Sequence, residues 1–331
     1  MRCQACGSEN LPMASYCQMC GARLAALPPP DKSAIRDQTA ALELAVSKRT
    51  ATEKHIPAAV VVVIMAGVIA MNIIGVGAIM AAMFDMLLEN PDYVPSEEDL
   101  YERSQNALIV LSVTSVMMYT FLGILFYSLV KRLNNHLERE GDLRSAVIEL
   151  MKSSVRGSPA AQTAVPQIAY LESFDSSIRR SEVKRNPVLW GLILAVPLIT
   201  SVPETVMIVN GTYGSSLATL VSGVGILVGV LWIVGSLYII YQLGKSIYEH
   251  DFRWCEFATT ARNALTTLGF PPGPMFSIRP LKRRSFPLYL LLTVLTLSLF
   301  MIYWLYVLVK DQNDHFARQW EIEDNFVASA R

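Results

Sequence analysis

Beyond residue 55 the chain alternates long apolar runs with shorter polar segments. Five runs stand out: Ile56 to Met83, Ala107 to Val130, Pro187 to Val209, Ser216 to Gly244 and Phe286 to Val309. Each reaches or exceeds the roughly 20 apolar residues that cross about 30 Å of hydrocarbon as a helix. A buried helix of a soluble protein rarely holds more than about 14 such residues in a row. The first run is too long, and begins too far along the chain, for a cleaved signal peptide. The pattern therefore predicts an all-α multi-span membrane protein of about five transmembrane helices.

Helical periodicity continues into the polar segments. Lys131 to Lys152 can prolong the second run, with Leu133, Leu137, Val147, Ile148 and Leu150 as an apolar stripe and Gly141 as a candidate break. Ser153 to Pro166 reads as a loop. Gln167 to Lys184 places Ile168, Leu171, Phe174 and Ile178 at helical spacing. Ser246 to Leu268 is a further helix, ended by Gly269 and the Pro271-Pro272-Gly273-Pro274 loop. Upstream of the first run, Pro28-Pro29-Pro30 is a stiff extended spacer, and Ala40 to Val46 can form a turn or two of helix. The organisation expected is a metal module at 1–26, a Pro-containing stalk at 27–55 and a first transmembrane hairpin at 56–130. A cytosolic helical segment at 131–186, a second hairpin at 187–244 and another cytosolic segment at 245–285 follow. A last span at 286–309 and a polar tail at 310–331 complete it.

Composition agrees and charge adds orientation. Of 331 residues 52% are hydrophobic, and 28 basic side chains balance 28 acidic ones, so the distribution of charge carries more than its sum. Segment 84–105 is acidic, with Asp85, Glu89, Asp92, Glu97, Glu98, Asp99 and Glu102 against Arg103. Segment 131–185 is rich in Lys and Arg, and Lys282-Arg283-Arg284 precedes the fifth run. The positive-inside rule then puts the N-terminus, 131–185 and 245–285 in the cytosol of a multi-pass cell-membrane protein. Five spans would leave the tail outside.

Three segments share one pattern: Tyr127, Leu129, Lys131 and His136; Tyr241, Leu243, Lys245 and His250; Tyr306, Leu308, Lys310 and His315. The offsets are identical, and each copy sits where a run leaves the bilayer. A Pro also opens the third and fifth runs after basic residues (Pro187, Pro287), as suits a first helical turn. This reads as a repeat: two hairpins, then a third copy shortened to a single span. The plain expectation for the histidines is three separate boundary residues, with Tyr and Lys anchoring each helix in the interface. The alternative is a shared metal or proton site. Five spans oppose it, because the third copy would face the other side unless the last run is re-entrant.

The other concentration of chemistry is at the N-terminus. Cys3, Cys6 and Gly7, then Cys17, Cys20 and Gly21, form two Cys-x-x-Cys-Gly turns, with Pro12 near the tip of the hairpin between them. Four thiolates so arranged suit one structural Zn²⁺ with no open position. Such a site folds a segment too short to build a core. A disulfide reading needs an oxidising compartment, and a redox pair would sit in a βαβ pattern that is absent. Met1 to Leu24, ending Gly21-Ala22-Arg23-Leu24, closely resembles the short zinc-ribbon family. That resemblance implies zinc and no particular partner. Thr293 to Lys310 weakly resembles the aromatic-ended first helix of a domain-of-unknown-function family of prokaryotic membrane proteins, which often carry a zinc ribbon in front. That family's usual Gly before the Tyr is replaced by Ser298-Leu299.

Inside the runs there is little to work with. Glu204, near one end of the third, reads as interfacial, and Asn72 as a bond to a neighbouring helix. Gly225 and Gly229 form a GxxxG face for helix packing or a homo-oligomer. No metalloprotease, phosphate-loop or nucleophile-elbow motif is present. Cys255, near His250 and Arg253, reads as a partly buried thiol. Asn210-Gly211-Thr212 is a sequon in a loop too short to serve a glycosyltransferase easily. Arg2 and Arg23 are too few for nucleic-acid binding by the ribbon. The function expected is a non-catalytic membrane scaffold or adaptor whose ribbon and cytosolic helices bind a cytosolic or membrane protein. The alternative is a small-solute transporter or channel subunit with a regulatory ribbon.

Overall fold

The computed structural model describes residues 2–3, 5–9, 16–22, 32–89, 96–155, 160–212, 216–271 and 278–331. Pro12, Arg23-Leu24, the Pro28-Pro29-Pro30 spacer, positions 156–159 of the expected loop and Pro272-Gly273-Pro274 lie outside them. The helices in chain order are α1 (Lys32–Ser47), α2 (Arg49–Thr52), α3 (Ala58–Glu89), α4 (Glu97–Val155) and α5 (Ala161–Ser181). They continue with α6 (Pro187–Ala195), α7 (Leu198–Val209), α8 (Ser216–Thr267), α9 (Phe286–Leu295) and α10 (Phe300–Ala330).

Among the described residues four helices are long and apolar enough to cross a membrane: α3, α4, the α6–α7 pair and α8. Asn186 caps α6, its side-chain oxygen accepting from Val188 N at 3.0 Å and Leu189 N at 3.1 Å, with Pro187 in the first turn. Pro197, at the α6–α7 junction, has no N–H to continue the helical ladder, which accounts for the break there. Helices α4 and α8 have 59 and 52 residues, far more than a bilayer needs, and their polar C-terminal halves project beyond it. The helix runs through Gly141 without a break. With no side chain there, Arg179 reaches in and donates from Nη2 to the Gly141 carbonyl at 2.5 Å.

The fifth run is not a span, which corrects the expected count of five. Helix α9 has 10 residues, roughly 15 Å of rise against about 30 Å of hydrocarbon. Leu297 and Ser298 then take left-handed backbone angles (φ 48° and 73°), and Ser298 N donates back to Thr293 O at 2.7 Å. The Thr296 hydroxyl accepts from Phe300 N at 2.9 Å and opens α10. The chain thus reverses at a leucine tip, and the legs pack through Tyr289 against Phe300 (centroids 5.2 Å) and Trp304 (5.7 Å). The third copy of the repeat is a re-entrant hairpin. Its polar half returns to the side where α4 and α8 emerge, so the tail lies beside the N-terminal helix.

Two apolar cores result. One, at the membrane level, joins Leu125, Phe126 and Leu129 of α4 with Ile240 and Leu243 of α8 and Trp304 and Leu308 of α10. The other lies outside the bilayer and gathers Leu42 of α1, Leu143, Val147 and Leu150 of α4, Ile168 and Leu171 of α5, Trp254 and Phe257 of α8, and Phe326 of α10. The stretch around Ala40 to Val46 is therefore docked on this bundle through Leu42, Ala45 and Val46. One close helix crossing, α4 on α6, uses glycines the sequence did not single out. A Cβ on Gly191 would lie 2.8 Å from the Gly123 carbonyl oxygen. Of the expected GxxxG pair, Gly225 faces Thr200 at 3.8 Å and Gly229 meets nothing within 4 Å. Asn72 bonds within its own helix, to Val68 O at 2.8 Å.

Candidate metal centre

Each copy of the repeat delivers its histidine to one point in the outer bundle. The rings of His136, His250 and His315 stand pairwise 5.1, 5.0 and 5.0 Å apart, at interplanar angles of 87°, 79° and 78°. This is close to threefold symmetry. His136 Nε2 lies 3.1 Å from His250 Nε2 and 3.1 Å from His315 Nε2. Glu140, one turn after His136, completes the group: its Oε2 is 2.9 Å from His250 Nε2 and 3.4 Å from His136 Nε2. All four ligand atoms lie within 4.8 Å of one another, and the residues are at most 2% exposed.

The far side of each ring is occupied by a carboxylate. His136 Nδ1 meets Glu53 Oε1 at 2.8 Å, His250 Nδ1 meets Glu182 Oε1 at 2.6 Å, and His315 Nδ1 meets Asp251 Oδ1 at 2.6 Å. Glu53 and Glu182 occupy equivalent places, at the C-terminal ends of α2 and α5 just before the first apolar helices of their own copies. The third copy has Lys282 and Arg283 there instead. Asp251 of the second copy substitutes, held by Leu281 N at 2.5 Å. Each carboxylate is itself braced by arginine: Glu53 by Arg139 (2.6 Å), Glu182 by Arg253 (3.6 Å) and Asp251 by Arg318 (3.5 Å). Arg139 also grips Glu323 through two bonds of 2.9 and 2.7 Å.

Burial and hydrogen bonding shift several of these groups. Burial raises a carboxyl, yet hydrogen bonding to His250 and the nearby arginines hold Glu182 below its ordinary value. For Asp251 burial is likewise outweighed, by His315 and the Leu281 N–H. Burial, then the neighbouring imidazoles, hold His136 well below the usual histidine range, and burial lowers His315 too. A neutral imidazole that donates from Nδ1 has only a lone pair at Nε2. The Nε2 atoms of His136 and His315, that of His250 and an oxygen of Glu140 converge on one buried point. Buried polar atoms crowded together are costly unless something they share satisfies them. A cation at the centre would do so. The 3.1 Å nitrogen separations are close to the edge of about 3.3 Å expected for a tetrahedron with 2.0–2.1 Å metal–nitrogen bonds. Carboxylates on the outer nitrogens are the usual second shell of metal-bound histidine.

The expectation of three separate boundary histidines is thus overturned. The i, i+4 pair His136 and Glu140 was a readable signal, and so was Gln319 at the same offset from His315. Gln319 Nε2 donates to Glu140 Oε2 at 3.1 Å, so the third copy's amide orients the first copy's carboxylate. Glu53, Glu182 and Asp251 carried no signal readable in the sequence alone.

The four cysteines form a second cluster, close enough to hold a metal ion. Cys3 and Cys20 sulfurs are 3.7 Å apart, and Cys6 and Cys17 sulfurs 3.4 Å. The two turns repeat one another: Gly7 N donates to Cys3 O at 2.8 Å, and Gly21 N to Cys17 O at 2.9 Å. Both glycines have positive φ (74° and 69°), which a side chain would resist. The Ser8 hydroxyl, 3.0 Å from Cys17 Sγ, holds that thiol down to about 5. Cys255 differs: burial pushes it up to about 12, as suits an inert thiol.

No protein-family model, curated protein or solved structure was found to match the chain.

Proposed function

We propose that this protein is a membrane scaffold built round a structural divalent metal, with a zinc ribbon at its N-terminus for contacts with a partner protein. The observation that carries the reading is the buried ring of His136, His250, His315 and Glu140, whose four ligand atoms converge within 4.8 Å of one another. Three imidazoles and one carboxylate in a tetrahedron suit zinc, and a first shell filled by four protein groups leaves no open position. Zinc there joins three copies of one hairpin, doing for the outer bundle what a core does in a larger domain. The ribbon is set just ahead of α1, which is packed on the same bundle, and it presents Tyr16 (61% exposed) and Met19 (80% exposed) outward. Exposed aromatic and Met side chains on a small rigid module suit protein contact. The basic segments on this side support a cytosolic position in a cell-membrane protein, where thiols stay reduced.

Metal analysis of protein purified from membranes tests the proposal. Two zinc equivalents are expected. Cys3→Ser with Cys17→Ser should remove one, and His250→Gln the other. Protein free of metal when purified without chelators would sink the reading of both sites.

One observation favours a second reading. A cleft of about 260 Å³ reaches His315 and Asp251 and is lined by Arg279 and Arg318, so a small anion there could approach the metal. Cobalt substitution separates the two: a closed site keeps its visible spectrum when azide is added, and a catalytic site does not.

A further inference from the structure

A cleft of about 660 Å³ lies away from the metal, between α8 and the re-entrant hairpin. Its wall divides by chemistry. Leu237, Ile240, Trp304 and Leu308 line the part that continues into the membrane core. Lys245, Arg283 and Arg284 line the part beyond it. Tyr241 and Lys245 are the copies of the repeat that mark the exit of α8 from the bilayer, so the division falls where headgroups meet hydrocarbon.

The cations are not equivalent. Arg284 Nη2 is engaged by Asp311 at 3.2 Å, and Asp311 also accepts from Tyr248. Lys245 is only loosely matched, 3.7 Å from Glu249 and 39% exposed. Arg283 is exposed and has no ion-pair partner among the described residues. Two cations thus face the cleft without close internal neutralisation, over an apolar slot open to the acyl region. A basic pocket between membrane helices is a recognised way of holding an anionic headgroup.

We propose that this cleft is a specific site for an anionic phospholipid. Lys245 and Arg283 bind its phosphate, and an acyl chain lies along Ile240, Trp304 and Leu308. The lipid would tie the re-entrant hairpin, which does not cross the membrane, to α8. The site is independent of the metal: none of its three cations touches a ligand of the centre.

The test uses full-length protein in detergent, with dioleoyl phosphatidylglycerol, dioleoyl phosphatidylcholine and free glycerol 3-phosphate as probes. Native mass spectrometry should show one phosphatidylglycerol retained in preference to phosphatidylcholine, and thermal unfolding should shift upward with phosphatidylglycerol only. Lys245→Gln and Arg283→Gln should each weaken retention about fivefold. Lys131→Gln, at the equivalent repeat position outside the cleft, should not. Equal retention of phosphatidylcholine would overturn the proposal, as would loss caused equally by Lys131→Gln. Stabilisation by glycerol 3-phosphate as strong as by the lipid would also overturn it, because the site would then read phosphate without the chain.

Discussion

His136 and His315, 179 residues apart, meet Nε2 to Nε2 at 3.1 Å. This contact fixes the topology as well as the site. A helix that crossed the bilayer after Phe286 would carry His315 to the opposite face.

Labelling is the direct test of that topology. A membrane-impermeant thiol reagent applied from outside should modify Ser96→Cys or Thr212→Cys, which follow or precede spans on the far side. Ala328→Cys, exposed near the end of α10, should be protected until the membrane is opened. Modification of Ala328→Cys in sealed cells would restore the fifth span.

On the proposed shared ligation the histidines behave as a unit. His136→Gln, His250→Gln and His315→Gln should each remove the same metal equivalent, and the double changes should lose little more than the singles. Three small, additive losses measured by metal analysis and thermal unfolding would mean that the residues do not share an ion.

The outer carboxylates hold the three rings through Nδ1, away from the proposed metal. Glu182→Gln or Asp251→Asn should weaken metal binding by about 10- to 100-fold while leaving one equivalent bound at saturation. Competition against a chelator of known affinity measures this. An unchanged affinity would mean that the rings are positioned by packing alone.

Arg139 lies between two buried carboxylates, Glu53 and Glu323. Arg139→Ala leaves both without their arginine and should cost about 3–5 kcal/mol. Burial already raises Glu323 despite the arginine. Adding Glu323→Gln should recover part of the loss, seen as a partial return of the unfolding midpoint.

The glycines divide the same way. Gly191→Ala pushes a Cβ onto the Gly123 carbonyl oxygen at 2.8 Å and should destabilise by about 1–3 kcal/mol. Gly229→Ala meets nothing within 4 Å. Its effect should stay within about 0.5 kcal/mol in the isolated protomer. A large loss at Gly229 would place a second copy of the chain against it.

The sequence by itself determined what depends on neighbours along the chain. Apolar run length marked the four spans, the period of the polar segments marked the juxtamembrane helices, and the Cys-x-x-Cys-Gly turns marked the cysteine cluster. The Tyr-Leu-Lys-His offsets were equally plain. Tertiary structure alone decided that the copies meet. The fifth run is long enough to span, and hydropathy does not register that Leu297 and Ser298 reverse the helix, since both suit a lipid-facing tip as well as a span. With that turn unseen, parity set His315 on the wrong side. Glu53, Glu182 and Asp251 were invisible for a related reason: a carboxylate comes to hold an imidazole only when distant chain segments bury the two together, and that is a property of packing.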